Sequence, residues 1–309
     1  MRIVFHGQKA FGKELLGRLL ERGENIVAVC SAPTKVGEPE DPLVEFALQE
    51  KLPLHQPASW KTPESLSLMQ SFDADLCMMA YVLLFVPEVV LNTPKIGTFQ
   101  YHPSLLPYHR GPSSISWPIS MGKTKTGLSI FWPDDGLDEG PILLTKSCDI
   151  GPKDTLSNVY FDKLFPMGVD AMLESLDLVK AGVILKYKQD LVERSYESWF
   201  TKELAQIDWD NPVEEVYNKI RAVDPAPGAW STIKGQSIDF YTATKSSEVG
   251  VPGSIINISD DGILISAQNG SIVIHKARLL GGKKTFSAEI ADELGLEVGD
   301  KFKFSAQAD

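Results

Sequence analysis

Cysteine is scarce: Cys30, Cys77 and Cys148 are the three in 309 residues. They stand far apart, form no CxxC and have no histidine nearby in sequence. That excludes a disulfide scaffold and reads as three buried thiols in a reducing compartment. Positive charge is in deficit: 30 Lys and Arg face 41 Asp and Glu, a net charge of −11. A general basic field for nucleic acid is thereby excluded, because such binding sets Lys and Arg against phosphate. A local basic patch is not. Long apolar runs are lacking as well. After Met1-Arg2 the run Ile3-Val4-Phe5 is too short for a secretory signal. Leu76 to Leu91 is interrupted by Pro87 and Glu88 and falls short of the roughly 18 to 20 residues of a membrane span. A cytoplasmic protein without a membrane partner is expected. No His, Cys and Asp set has ligand spacing, so no metal is expected.

What is present is an ordinary globular composition, 43 % hydrophobic and 23 % charged, long enough to bury a sizeable core. The first half alternates strand and helix signals. Arg2 to Phe5, Ile26 to Cys30, Ala74 to Ala80 and Ile96 to Tyr101 read as buried strands. Phe11 to Leu20, Pro42 to Glu50 and Pro63 to Met69 read as helices. This alternation predicts an α/β fold, a Rossmann-like, mostly parallel sheet with helices on both faces. Gly127 to Phe131 and Ile142 to Thr145 add strands, and Asp154 opens a helix to about Val179, kinked at Pro166.

The stretch from Ala181 to Ser195 is polar and weakly periodic, and reads as a linker. The expected division is therefore a catalytic domain over 1–181, a linker over 182–202 and a small β-barrel over 203–309. The last part begins with a helix capped by Asn211-Pro212 that runs through Val223. Closely spaced short strands follow: Ala229 to Ile233, Ile238 to Thr242, Ser254 to Ile258, Gly262 to Ala267, Ser271 to Ala277 and Lys301 to Phe304.

Two segments carry candidate chemistry. The turn Gly7 to Gly12 (GQKAFG) lies between a strand and a helix, where backbone N–H groups can meet a phosphate. It is neither GxGxxG nor a P-loop, so it serves equally as a structural turn. The denser segment runs from Gln100 to Gly140. Gln100 and His102 sit two apart at a strand end and so share a face. Strand ends of a parallel sheet are where open α/β folds bind ligands. Asp134, Asp135, Asp138 and Glu139 crowd a second loop. A carboxylate beside a histidine orients the imidazole and favours its charged form. Such a pair moves protons at a reacting carbonyl. Taken singly, the histidine also fits a structural role and the acidic loop a solvated turn.

The motif HPSLLPxxRG (His102 to Gly111), followed by the DxGLDxG loop (Asp134 to Gly140), resembles the signature of the 10-formyltetrahydrofolate-using formyltransferase family. That family includes methionyl-tRNA formyltransferase, glycinamide ribonucleotide formyltransferase and the N-terminal hydrolase domain of 10-formyltetrahydrofolate dehydrogenase. The second region, with AQIDWDNPVEEVYNKIRA, PAPGAW and GSIINISDDGILI, is similar to the C-terminal barrel of the tRNA enzyme and of the hydrolase domain. The resemblance implies 10-formyltetrahydrofolate as formyl donor and a small-molecule folate site. It puts His102 and Asp138 on the catalytic histidine and aspartate. Gln100 stands where the family usually has Asn. Ser104, Leu105, Leu106 and Pro107 fall on the folate-contacting loop. Leu84, Phe85 and Val86 fall on the loop whose backbone meets the pteridine, and Asp134 on the loop that closes over the same ring.

On the acceptor, the resemblance implies hydrolysis to tetrahydrofolate and formate. SAPTKVGEPEDPLVEF, after the second strand, holds one Lys and four acidic residues, the wrong sign for an RNA backbone. Loss of the Asn leans the same way. Lys276 to Lys284 (KARLLGGKK) resembles a basic segment of the tRNA enzyme and keeps formyl transfer to tRNA or to a small amine as the alternative. A folate-binding protein with a decayed site is the non-enzymatic alternative. The sequence does not determine the oligomeric state.

Overall fold

The computed structural model describes residues 1–304. In chain order its elements are β1 (Arg2–Gly7), α1 (Lys9–Glu21), β2 (Asn25–Cys30), α2 (Pro42–Gln49), β3 (Leu54–His55), α3 (Pro63–Ser71), β4 (Leu76–Ala80) and α4 (Glu88–Leu91). There follow β5 (Gly97–His102), α5 (Ser116–Ser120), β6 (Lys125–Phe131), β7 (Ile142–Asp149) and α6 (Phe165–Lys180). The remaining elements are α7 (Val213–Ala222), β8 (Ala229–Ile233), β9 (Gln236–Ser246), β10 (Ile255–Ser259), β11 (Gly262–Ala267), β12 (Gly270–Leu279), β13 (Thr285–Phe286) and α8 (Ser287–Leu294).

The chain folds into two compact units whose membership is discontinuous in sequence. Unit one takes Met1–Gly111, Gly127–Cys148 and Lys163–Tyr196. Unit two takes Pro112–Thr126, Asp149–Asp162 and the chain from Glu197 onward. The expected linker 182–202 is thus shared between the units. Its first part is held inside unit one by an isolated bridge between Ile142 and Tyr187 and another between Arg110 and Tyr196.

Unit one is built on a seven-stranded sheet ordered β3-β2-β1-β4-β5-β6-β7. Strands β1 to β5 pair in parallel, and β6 runs antiparallel to β5. Successive side chains of a strand point to opposite faces, and the sequence obeys that period. Ile3, Phe5, Met78, Ala80, Phe99 and Tyr101 enter one core with apolar residues of α1 and α6. Val4, Cys77 and Met79 enter the opposite core with residues of α3 and α4. Gln100 and His102 alternate with Phe99 and Tyr101 and therefore stand on the α3–α4 face.

The Gly7 to Gly12 turn is a structural one. Asp41 accepts hydrogen bonds from Lys9 N (2.8 Å) and Leu43 N (3.0 Å) through one carboxylate oxygen. The carboxylate of the α2 N-cap thus fills the anion position at the head of α1.

Three local expectations need correction. Asp154 lies outside the helix: its carboxylate accepts Gly151 N at 2.6 Å and closes a turn. A π-helix over Asn158–Leu164 runs directly into α6, and Pro166 sits in the first turn of α6. Proline lacks the N–H that an uninterrupted α-ladder needs there, and the hydrogen-bond register is widened over the residues before it. Pro212 is the residue before α7 rather than its first helical one, with an extended ψ of 142°. Cys30 and Cys77 are buried, but Cys148 on β7 is half-buried.

In unit two the antiparallel order is β10-β11-β12-β9-β8, with β13 paired to β12. The segment expected as a strand at Lys301 to Phe304 makes isolated bridges instead. Lys301 bridges Ser254 beside β10, and Lys303 bridges Thr232 in β8. One short segment thereby ties both edges of the sheet and closes it as a small barrel. Trp209, Phe240 and Phe302 cluster inside with centroids 5.4–5.9 Å apart, Phe240 lying edge-on to both other rings.

Candidate active site

His102 ends β5, and its ring is buried (6 % exposed). Its Nε2 lies 3.0 Å from the carbonyl oxygen of His109. A carbonyl only accepts, so Nε2 carries the proton and Nδ1 is left for chemistry. Nδ1 faces Asp138 Oδ2 at 3.7 Å. Two residues 36 places apart in sequence are thus brought together at the carboxyl edge of the sheet.

Asp138 adopts φ +53°, the left-handed region, which is uncommon outside glycine and which Asp enters more readily than most side chains. Its surroundings hold it there. Oδ2 accepts the Gly111 backbone N–H at 2.9 Å. Gly111 itself has φ +87°, which glycine adopts without a Cβ clash. Arg110 NH1 donates to the Leu137 carbonyl at 3.0 Å and pairs with Glu139. Gln189 Nε2 donates to the carbonyls of Asp138 (3.0 Å) and Gly140 (2.7 Å).

The 103–111 loop is ordered by its own polar groups. Ser104 is fully buried, and its hydroxyl donates to the Tyr108 carbonyl at 2.7 Å. Ser129 Oγ accepts Leu106 N at 3.1 Å and donates to the Ser104 carbonyl at 2.9 Å. Leu106 is buried, whereas Leu105 and Pro107 are partly exposed. Ser195 closes the far side: its Oγ accepts His109 N at 2.8 Å and its carbonyl accepts Arg110 N at 3.2 Å.

The 81–87 loop leaves β4 beside this edge. Val86 is buried, Leu84 half-buried and Phe85 exposed, with Lys61 Nζ 5.0 Å from the Phe85 ring centre. Asp135 Oδ1 accepts Glu88 N at 2.8 Å and so ties the acidic loop to the head of α4. Asp134 Oδ1 accepts Gly136 N at 2.9 Å within its own turn. Gln100 is half-buried and lies in one register row with His6 and Met79. Sequence reasoning missed Gln189 and Ser195 as parts of this assembly, and it placed Asp135 in the acidic loop without its bond to Glu88 N. Nothing in YKQDLVERS marks a structural amide, and Asp135 acts through its partner's backbone.

Among the described residues no group of three or more His, Cys, Asp or Glu side chains converges to hold a metal ion. No helix among them is long and apolar enough to cross a membrane.

A histidine–carboxylate pair at the carboxyl ends of a parallel sheet is the arrangement of an acid–base site in an open α/β fold. Comparison with known families says which one. Residues 1–174 match the model described as formyl transferase, and residues 200–293 the model described as formyl transferase, C-terminal domain. The chain belongs to the formyltransferase family. It is 38 % identical over 281 residues to mitochondrial 10-formyltetrahydrofolate dehydrogenase of Mus musculus, covering 88 % of this chain and 30 % of that protein. It is 32 % identical over 308 residues to methionyl-tRNA formyltransferase of Geobacter sulfurreducens, covering 97 % of this chain and 96 % of that one. Among solved structures, HypX from Aquifex aeolicus in complex with tetrahydrofolic acid superposes with a TM-score of 0.70 at 20 % identity. That match covers 98 % of this chain and 51 % of HypX. WlaRD, a sugar 3N-formyl transferase, gives 0.69 at 18 % identity, covering 92 % and 99 %. At these identities the likeness speaks for the fold.

Proposed function

We propose that the chain hydrolyses 10-formyltetrahydrofolate to tetrahydrofolate and formate, with His102 and Asp138 as the catalytic pair. The observation that carries this reading is the Nδ1 to Oδ2 approach of 3.7 Å between two buried side chains at a ligand-binding sheet edge. Water attacks the formyl carbon, and the carbonyl electrons move onto the formyl oxygen. The His102 imidazolium, with the Gln100 amide, stabilises that oxyanion. Asp138 orients the imidazole and takes the proton of the attacking water, directly or through a second water. Collapse expels the folate N10, which takes up the proton that Asp138 had accepted from the water, directly or through the same second water.

The folate itself would lie against the 81–87 loop, where Leu83 and Phe85 are exposed, under the 134–138 loop and beside Ser104 to Pro107. Such exposed apolar side chains beside backbone polar groups suit a flat heterocycle.

Water as acceptor is supported by three features. The chain is similar to a 10-formyltetrahydrofolate dehydrogenase over 88 % of its length. Gln100 replaces the family Asn, and its extra methylene moves the amide by about 1 Å, enough to change acceptor geometry. The basic segment Lys276 to Lys284 is partly neutralised from within, with Arg278 on Asp239 (2.7 Å) and Lys284 on Asp224 (3.2 Å). Formyl transfer to methionyl-tRNA is the second reading, favoured by the end-to-end match to that enzyme.

The test is incubation with 10-formyltetrahydrofolate alone and with methionyl-tRNA or small amines, following formate and tetrahydrofolate. Formate released without acceptor, and abolished by His102→Ala, is expected. Turnover only with an acceptor overturns hydrolysis in favour of transfer. Folate binding without any turnover identifies a binding protein instead.

A further inference from the structure

The segment 182–196 read as a linker, yet it carries the side chain that most directly fixes Asp138. Gln189 is 5 % exposed. Its amide nitrogen donates to two backbone carbonyls of one loop, those of Asp138 and Gly140. The orientation of the amide is forced, because the flipped group would set its oxygen against two acceptors. The other end of that amide is a puzzle for a purely structural role. Gln189 Oε1 is buried and has no hydrogen-bond partner among the described residues. A buried acceptor left unpaired is destabilising, and an apolar side chain of the same shape would avoid that cost. The residue is therefore explained by what its NH2 group holds.

What it holds is a backbone that does not hold itself. Asp138 sits at φ +53°, a conformation that persists where its surroundings over-determine it. Arg110 restrains the carbonyl before Asp138, and Gly111 restrains its carboxylate. Gln189 restrains the carbonyls of Asp138 itself and of Gly140, the side the other two leave open.

We propose that Gln189 is a positioning residue for Asp138, keeping its carboxylate within reach of His102 Nδ1. The inference rests on the reading of that pair as catalytic. The same segment supports the partner loop, with Ser195 holding the backbone of His109 and Arg110. The stretch is thus a strap over both site loops, and Gln189 is its functional contact.

The test is a double-mutant cycle on the full chain with 10-formyltetrahydrofolate hydrolysis as the readout. Gln189→Met keeps the shape and removes both donors. Its kcat is expected to fall at least tenfold, with KM within twofold and a cooperative native fold retained by circular dichroism. In an Asp138→Asn background the same change is expected to cost less than twofold, since the group being positioned is already gone. Gln189→Asn, which keeps the amide on a shorter stem, is expected to fall between Gln189→Met and the parent in kcat.

Equal losses in both backgrounds overturn the proposal, because they report a general structural effect. So does parental kcat in Gln189→Met. A failure of either Gln189 variant to fold also counts against it, because the residue would then be holding the fold. Should Asp138→Asn alone keep the parental rate, the catalytic reading of the pair fails first and the positioning role with it.

Discussion

His6 couples the stability of this fold to pH. It lies in β1, in register with Cys30 and Met79, and is 1 % exposed. Its ring packs on Trp60 with centroids 5.1 Å apart, and Nδ1 has no hydrogen-bond partner among the described residues. Burial alone pushes its pKa from 6.5 down to about 3. The folded protein therefore holds His6 neutral, while the unfolded chain protonates it below pH 6.5. The stabilisation tied to the neutral ring is fully present above pH 6.5 and is lost progressively as pH falls towards 3. From pH 7 to pH 5 the loss is about 2 kcal/mol, taken as one and a half pH steps at about 1.4 kcal/mol each. Carboxylates also lose stabilising charge on acidification, so the informative quantity is a difference. Urea denaturation of the parent and of His6→Leu at pH 7 and pH 5 isolates it. The parent is expected to lose about 2 kcal/mol more than the variant over that window. Equal losses in the two proteins would refute the assignment of a neutral, buried imidazole to this position.

Two further perturbations follow from single contacts. Asp41→Ala removes the acceptor shared by Lys9 N and Leu43 N. It is expected to cost about 1–2 kcal/mol in a denaturant titration, the range of a lost N-cap, and an unchanged midpoint would contradict the filled-turn account. Gly127→Ala places a Cβ 2.2 Å from the Lys146 carbonyl oxygen and 2.6 Å from Leu105 Cδ2. The backbone has to shift there, so a melting temperature at least several degrees below the parent is expected by circular dichroism, with about 1–3 kcal/mol of overpacking behind it.

Much of the fold was legible because it is written in short-range pattern. The strands β1, β2, β4 and β5 are runs that alternate between two cores, and α1, α2 and α3 carry apolar residues at helical spacing. α4 and α5, at four and five residues, are too short to show a period. α8 went unread because its buried set is only Ser287, Ile290 and Ala291. The site was legible in its loops but not in its supports. His102 and Asp138 stand in recognisable surroundings, whereas Gln189 is one glutamine in a polar stretch and owes its meaning to two carbonyls it reaches 49 and 51 residues away.

The sequence by itself determined which segments form strands and helices, that the sheet is mostly parallel, and which histidine and aspartate belong to the formyltransferase signature. The elements and the parallel sheet follow from periodicity and turn residues, which are properties of neighbouring positions; the histidine and aspartate follow from the resemblance of HPSLLPxxRG and the DxGLDxG loop to the family's signature. Only the tertiary structure decided that the Gly7 turn is filled by Asp41, that β6 reverses direction and that a three-residue bridge closes the barrel. It alone decided that a stretch resembling a linker clamps Asp138. Each of those depends on a hydrogen bond between residues far apart in the chain, and no local pattern records which donor will meet which acceptor once the chain has folded.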